Sequence, residues 1–217
     1  RVAQLFWPVR AWNSSGLVVI FDNDSVSDHV AGTILSNLQL ATPITVKYET
    51  RPPENTLCGN WRREGYSRQQ YSNFYADLYT DAEYAAIIDS DAMFTTPVLV
   101  SDLFEDGKPR VRGADQVGRW TSDLTKKAIG GHELVGTFMT SFSFPLVVKT
   151  SHLAQMREDI ARNMGKATFE EAFHTICDGS KKRYSQFDIM FNYLWYHKRD
   201  EYFWNIAPVE DGEFGNL

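Results

Sequence analysis

The chain has 217 residues, 43% of them hydrophobic and 14% aromatic, which is enough to build the core of one medium-sized α/β domain. Its formal net charge of −6 argues against a nucleic-acid backbone as the partner, since that usually requires a basic face. Cys58 and Cys177 are too few for a disulfide framework, and they favour a reducing compartment. No apolar run reaches the roughly 18 residues of a membrane span. Because no signal-like segment follows Arg1, we expect a fragment of a longer protein with further domains.

The first 50 residues predict a strand, a helix and a second strand. Residues 17–21 form a continuous apolar run that ends in Asp22. Ser25 and Asp28 have the spacing of a capping box, which predicts that a helix begins there. The apolar period of this helix predicts an inner face formed by Val26, Val30, Ile34 and Leu38. The next strand covers residues 44–48, so the unit is a right-handed parallel crossover by default.

A second helix and a buried strand follow. Residues 66–79 have a helical period, with an inner face formed by Tyr71, Phe74, Tyr75 and Leu78. Arg68, Gln69 and Asn73 lie on or near the other side of this helix. Residues 84–88 are mostly apolar without alternation, which is typical of a strand buried on both faces of a parallel sheet.

This strand runs into two carboxylates, Asp89 and Asp91, separated by one residue. In open α/β sheets, ligands bind just beyond the carboxyl ends of the strands. Two ionised carboxylates this close repel each other unless a cation compensates them. Their hard oxygen atoms suit a divalent cation that carries phosphates. The alternative is that the acids only cap the turn after the strand.

The second half is less regular. Residues 106–109 predict a hairpin turn, and residues 114–136 are polar without a clear period, which indicates a long functional or mobile loop. Residues 137–148 are β-prone. Three helices are then predicted, the first with Leu153, Met156 and Ile160 inward and the others capped by Thr168 and Ser185. Residues 205–217 resemble a tail.

These elements predict an α/β fold with a mostly parallel central sheet flanked by helices and a helical C-terminal half. We expect a single domain over residues 1–217. It would divide into two halves, about residues 1–113 and residues 114–217.

The apolar strand, the Asp-x-Asp motif and the preceding helix with Arg68 and Gln69 resemble nucleotide-sugar glycosyltransferases of the GT-A fold, over roughly residues 15–115. The resemblance implies a Rossmann-like sheet and transfer of a hexose or deoxyhexose from a UDP-sugar donor to a glycan acceptor hydroxyl, with Mn²⁺ or Mg²⁺. The whole chain is also similar to a glycosyltransferase domain of chloroviruses. That similarity implies a glycan or glycoprotein acceptor and a cytoplasmic location, in the host cytoplasm for a viral protein.

The same resemblance implies roles for the strand-end acids. Asp91 would be the principal metal ligand, and Asp89 would contact the ribose or reach the metal through water. Asp22 would lie near the nucleobase and ribose, on the same edge of the sheet as Asp91. The helix would contact the nucleotide through Arg68 together with Gln69 or Asn73. Residues 1–113 would then be the nucleotide-binding half of the domain and residues 114–217 the acceptor-side half.

The transfer also needs a group that accepts the proton of the acceptor hydroxyl. Asp188 lies at the start of the last predicted helix, where inverting glycosyltransferases often place this base. The alternative is that Asp188 only completes the helix cap and complements the helix dipole. Other acids remain unranked candidates: Glu133, Glu170, Glu171, Asp178 and Glu210.

A second resemblance involves the first strand. Residues 18–26, with Asp22 and Asp24, resemble the first motif of haloacid-dehalogenase-like phosphatases, in which the first Asp is the nucleophile and the second the acid/base. The lysine and the late acidic pair of that family are not found at the expected places. A third alternative is a glycan- or nucleotide-binding module without catalysis.

Overall fold

The computed structural model describes residues 16–39, 42–58, 61–89, 94, 96–115, 122–138, 145–179 and 184–208. Its helices are α1 (Val26–Ser36), α2 (Trp61–Asn73), α3 (Val100–Leu103), α4 (Asp123–Ala128), α5 (Leu153–Met164), α6 (Phe169–Gly179) and α7 (Gln186–His197). Its strands are β1 (Leu17–Asp22), β2 (Ile44–Glu49), β3 (Tyr84–Ile87), β4 (Phe104–Glu105), β5 (Lys108–Ala114), β6 (Leu146–Lys149) and β7 (Phe203–Ala207). The α/β class is confirmed, and none of these helices is long and apolar enough to cross a membrane.

The described strands form three small sheets. β1 and β2 pair in parallel, and so do β5 and β7, while β4 forms an antiparallel hairpin with β5. β3 pairs antiparallel with β6, and its four residues are only half-buried. The expectation of a parallel strand buried on both faces at residues 84–88 is therefore wrong, because a short apolar run does not reveal the direction of its partner. Among the described strands no pairing joins these sheets into one large parallel sheet.

The strand–helix–strand unit at the start is confirmed. The Ser25 side chain accepts a hydrogen bond from the backbone N–H of Asp28, as expected of a capping residue. The predicted inner face of α1 is wrong, because all four of its members are more than half exposed: Val26, Val30, Ile34 and Leu38. Instead α1 approaches β2 through Gly32, where an added Cβ would collide with the hydroxyl of Tyr48, and through His29, whose ring stacks on Tyr48 at 4.4 Å.

Two elements were missed in segments that the sequence analysis assigned to a loop and a tail. Helix α4 lies inside the long polar segment, and Ser122 caps it by accepting from the backbone of Thr125. Strand β7 lies in and just before the segment expected to be a tail and pairs with β5. Its strand periodicity covers only five residues, which is too short to stand out by pattern alone. The hairpin turn at Asp106 and Gly107 is confirmed, and both residues adopt positive φ, of 49° and 75°.

The main core lies between the C-terminal helices and strands β5 and β6. The three predicted helices, with their caps at Thr168 and Ser185, are confirmed. Helix α2 joins this core through Tyr71 and Phe74. Leu78, predicted on the same face, is instead 65% exposed, because α2 ends at Asn73 and a 3₁₀ turn follows it.

The structure joins Cys58 and Cys177 in a disulfide across 119 residues, with Cα atoms 6.0 Å apart. Both residues are buried. The expectation that two cysteines favour a reducing compartment is therefore not supported, because a single long-range disulfide needs no framework.

Gly136 lies against the backbone of β5, which gives a direct test of this packing. A Cβ at this position would collide with the carbonyl oxygen of Ala114. This atom belongs to a hydrogen-bonded strand, so moving it costs free energy. We expect Gly136→Ala to lower the free energy of unfolding by about 1–3 kcal/mol, as overpacked sites do. Urea denaturation of the variant measures this change.

Gly65 in helix α2 provides the matched control. An added Cβ there meets nothing within 4 Å, and alanine favours the helix over glycine. We expect Gly65→Ala to raise the free energy of unfolding by roughly 0.5–1 kcal/mol. A Gly136→Ala variant as stable as the parent chain would show that residue 136 does not pack on β5 as described.

Candidate functional site

Helix α2 holds two strand-end acids through adjacent residues. The guanidinium of Arg68 lies 2.6 Å from the Asp22 carboxylate, and the side-chain amide of Gln69 donates to Asp89 at 2.8 Å. Adjacent helix residues diverge by about 100°, so the ends of β1 and β3 lie along neighbouring sides of one helix. The structure thus brings together four residues that the sequence analysis singled out. Asp91, the predicted principal metal ligand, lies outside the described residues.

A third acid, Glu49, completes this cluster and was missed by the sequence analysis. Arg68 contacts it twice, through Nε to the carboxylate at 3.3 Å and through Nη2 to the backbone carbonyl at 2.7 Å. Ser72 and Tyr79 also donate to the carboxylate, at 2.5 and 2.8 Å. Glu49 lies directly opposite Asp22 in the parallel β1–β2 ladder. An acid at the end of the second predicted strand was the signal that could have identified it.

The charges in the cluster compensate one another. Burial acts to raise the pKa of Asp22, but the hydrogen bond from the backbone of Asp24 and the Arg68 guanidinium outweigh it and hold this pKa below its usual value. Burial likewise acts to lower the pKa of Arg68, and its bonds to Asp22 and Glu49 raise it instead. At neutral pH the cluster therefore contains an ionised Asp22 that is fixed in orientation.

A cleft of about 480 Å³ lies beside this cluster. It is lined by Arg51, Pro52, Pro53, Glu54, Asn55, Leu57 and Glu64. Arg51 forms an ion pair with Glu64 across the cleft. Arg51 also contributes to the lowered pKa of Asp22, so the cleft and the strand end are within electrostatic reach of each other. Proline and leucine faces together with amide and carboxylate groups form a mixed surface of the kind that binds a small polar ligand.

The predicted metal site is described only in part. Asp89 is half-exposed, and Gln69 orients its carboxylate. A carboxylate in this position fits the oxygen preference of Mn²⁺ and Mg²⁺. Among the residues that the structure describes, no group of three or more potential metal ligands is found. Asp22 does not fit as a ligand, because Asp24 and Arg68 already occupy its two oxygen atoms.

Asn73 does not join the contacts to the strand-end acids. It lies one turn after Gln69 on α2, and its side-chain nitrogen is buried. Within the described part of the chain that nitrogen has no hydrogen-bond partner. The proposed nucleotide contact of Asn73 therefore remains a prediction.

Asp188 is completely buried at the start of α7. Its carboxylate accepts from the backbone N–H of Phe138 at 2.6 Å and from the hydroxyl of Thr137 at 3.0 Å, and its own N–H donates to Ser185. These contacts support the alternative that Asp188 caps α7. The same carboxylate also holds residues 137 and 138 in place. The catalytic role of Asp188 stays a prediction.

One turn later on α7, Asn192 holds the same segment by two further bonds. Its side-chain oxygen accepts from the backbone N–H of Val135 at 2.7 Å, and its nitrogen donates to the carbonyl of Gly136 at 3.0 Å. The spacing of four residues between Asp188 and Asn192 places both on one helix face. Together they attach residues 135–138 to α7 through buried polar contacts.

Comparison of the chain with known protein families, with curated protein sequences and with solved structures finds no match in any of the three. The resemblance to GT-A glycosyltransferases and to haloacid-dehalogenase-like phosphatases therefore rests on the sequence motifs alone and stays a prediction.

Proposed function

We propose that the protein is a metal-dependent glycosyltransferase that transfers a hexose or deoxyhexose from a UDP-sugar to a hydroxyl of a glycan or glycoprotein acceptor. The observation that carries the proposal is the pair of contacts from adjacent residues of α2, Arg68 to Asp22 and Gln69 to Asp89. These contacts gather the acidic ends of two strands at one helix, which supports a donor site of the GT-A type.

The residues then have distinct roles in this proposal. The nucleoside occupies the cleft lined by residues 51–55 and 57 beside Asp22. Each oxygen of the Asp22 carboxylate already accepts one bond, and its second lone pair can accept a hydrogen bond from a ribose hydroxyl. Arg68 is already paired with two carboxylates, so it orients Asp22 rather than binding a phosphate. Gln69 orients Asp89 in the same way.

Asp89 and Asp91 would hold the cation, Mn²⁺ or Mg²⁺. When bound, the cation neutralises charge on the diphosphate leaving group. The acceptor would be bound by residues 114–217. The buried position of Asp188 supports a positioning role for this residue better than direct contact with the acceptor.

The phosphatase alternative has less support from the geometry. A nucleophilic Asp22 would need one carboxylate oxygen directed at the phosphorus atom. Instead, one oxygen accepts from the backbone of Asp24 and the other is paired with Arg68.

Binding of UDP and UDP-sugars, measured by calorimetry and by thermal shift with and without Mn²⁺, tests the proposal. We expect saturating UDP with Mn²⁺ to raise the melting temperature by several degrees, because a ligand bound at about 100 times its Kd contributes roughly 2.7 kcal/mol. Asp91→Ala should weaken Mn²⁺-dependent binding by at least roughly 10–100-fold, since even the loss of a group that only orients a metal ligand costs this much. The exposed Asp200→Ala is the matched control and should bind like the parent chain.

Two results would contradict the proposal. One is UDP binding that depends neither on Mn²⁺ nor on Asp91. The other is release of phosphate from a generic ester that is lost in Asp22→Asn and kept in Asp91→Asn, which would favour the phosphatase.

A further inference from the structure

The disulfide between Cys58 and Cys177 lies at the C-terminal end of the loop that lines the cleft. Residues 51–57 line most of the cleft, and Cys58 follows them directly. Cys177 lies in the last turn of α6, inside the main core, with 1% of its surface exposed. The bond therefore anchors one end of the cleft loop to the most buried part of the molecule.

Helix α2 is connected to the same anchor through Ser67. The Ser67 hydroxyl accepts from the backbone N–H of Cys58 at 3.3 Å and lies 3.5 Å from the sulfur of Cys177. Ser67 is buried and immediately precedes Arg68, the residue that holds Asp22. The disulfide, the cleft loop and the residue that orients the strand-end acid thus meet within one turn of α2.

Among the described residues the loop also makes non-covalent contacts: Leu57 packs against the main core, and Thr56 is buried. Asn55 adopts a left-handed conformation with φ of 67°, and the N–H of Thr56 donates to the carbonyl of Pro53. Within the described residues, Arg51 at the other end contacts Glu64 by an ion pair, but 60% of its side chain is exposed. An exposed pair contributes little to holding a loop, so the covalent bond is the stronger constraint.

We propose that the Cys58–Cys177 disulfide is a positioning element that fixes the cleft loop against α2 and α6, and that the protein acquires it in an oxidising compartment. The bond forms by thiol–disulfide exchange with a protein disulfide oxidoreductase. One cysteine thiolate attacks the oxidant's disulfide and releases a thiol, and the second thiolate then attacks the mixed disulfide and releases the other thiol. Two electrons pass to the oxidant, which leaves as a dithiol together with the two protons lost by the cysteines.

This proposal departs from the reducing compartment expected from the low cysteine count and from the cytoplasmic location that the viral similarity implies. Disulfides persist in secreted, periplasmic and extracellular proteins and are rare in the cytosol. The binding of a nucleoside by this loop rests on the proposed function. The bond and its effect on the loop do not.

The first experiment determines whether the bond forms. The chain is exported to the bacterial periplasm, purified without reductant, unfolded and treated with iodoacetamide. We expect no alkylated cysteine before reduction, both alkylated after it, and a linked pair of peptides that contain Cys58 and Cys177. Two alkylated cysteines in the unreduced chain would overturn the proposal.

The second experiment separates positioning from general stabilisation, by comparing native-state hydrogen exchange of the oxidised chain with that of the Cys58→Ser/Cys177→Ser double variant. Pro52 and Pro53 lack an amide hydrogen, so the hydrogen-bonded amides of Thr56 and residue 58 report on the loop. We expect these amides to exchange at least roughly tenfold faster in the double variant while α5 stays protected. The melting temperature should fall by roughly 5–15 °C.

Ile176→Val is the matched control, because it removes one buried methylene next to Cys177 and keeps the bond. It should lower the melting temperature by a few degrees without faster exchange at Thr56. Equal exchange at Thr56 in the oxidised chain and the double variant would overturn the positioning role. Failure of UDP to bind the oxidised chain would remove the proposed function and leave the exchange result unaffected.

Discussion

Arg68→Met is expected to lower the free energy of unfolding by roughly 2–4 kcal/mol at neutral pH, because it leaves carboxylates in the interior without their cation. Glu49 is 8% exposed at its side chain and receives two bonds from Arg68. Asp22, the other partner, is 34% exposed, so water compensates part of its loss and the effect stays below that of a fully buried pair. Methionine retains the length and the apolar stem of arginine.

The change is measured by urea denaturation, since guanidinium chloride is a salt and screens ion pairs. Arg51→Met is the matched control, because the side chain of Arg51 is 60% exposed whereas that of Arg68 is 15% exposed. This control should change the free energy of unfolding by about 0–1 kcal/mol. Equal effects of the two variants would show that Arg68 does not compensate a buried carboxylate.

Asp188→Ala is expected to be the most destabilising change, with a loss of about 3–5 kcal/mol. The variant leaves the buried N–H of Phe138 without its acceptor and removes the partner of the Thr137 hydroxyl. It also removes an acidic side chain from the first turn of α7, a position where the helix dipole favours acids. The melting temperature and a urea titration measure the loss.

Glu171→Ala is the matched control, since Glu171 occupies the same third position in helix α6 and also accepts a backbone N–H bond. This side chain is exposed, so we expect a loss of only about 0.5–1 kcal/mol. A loss of less than about 1 kcal/mol in Asp188→Ala would contradict the buried role of Asp188.

Asp188→Asn separates a positioning role from a catalytic one. Asparagine can still accept the Phe138 N–H bond, and the Thr137 hydroxyl can turn to accept from its amide, so we expect a cost of about 1–2 kcal/mol. If the proposed transfer is detected, a positioning role keeps turnover within about tenfold of the parent chain. A loss of 10²–10⁴-fold in a folded Asp188→Asn variant would instead assign Asp188 as the general base.

Local signals predicted much of the fold. The capping spacings at Ser25, Thr168 and Ser185 each mark a helix start that the structure confirms, because a cap depends only on residues within one turn. The turn at Asp106 and Gly107 is local in the same sense. The direction of β3 depends on β6, a strand distant in the sequence, and the apolar period of α1 does not reveal which of its faces meets β2.

The candidate site shows the same difference between features with a local sequence signal and features without one. Asp22 and Asp89 were recognised because each ends an apolar run, and Arg68 and Gln69 because they lie on a helix before such a run. Glu49 was missed because the run before it alternates with polar residues. With two cysteines the chain has one possible intrachain pair, but whether Cys58 and Cys177 come close enough to bond could not be predicted, since a separation of 119 residues leaves no local trace.

The parallel ladder between β5 and β7 has a consequence for how the chain folds. β5 pairs with β4 through a tight turn, so this edge can form as soon as both strands are synthesised. Its other edge waits for β7, since Arg110 pairs with Phe203 near the end of the described chain. Contacts this distant in sequence form slowly, and an unpaired strand edge recruits strands of other molecules in the meantime. Strand β7 thus covers the aggregation-prone edge of the β4–β5 hairpin, which is synthesised almost a hundred residues earlier.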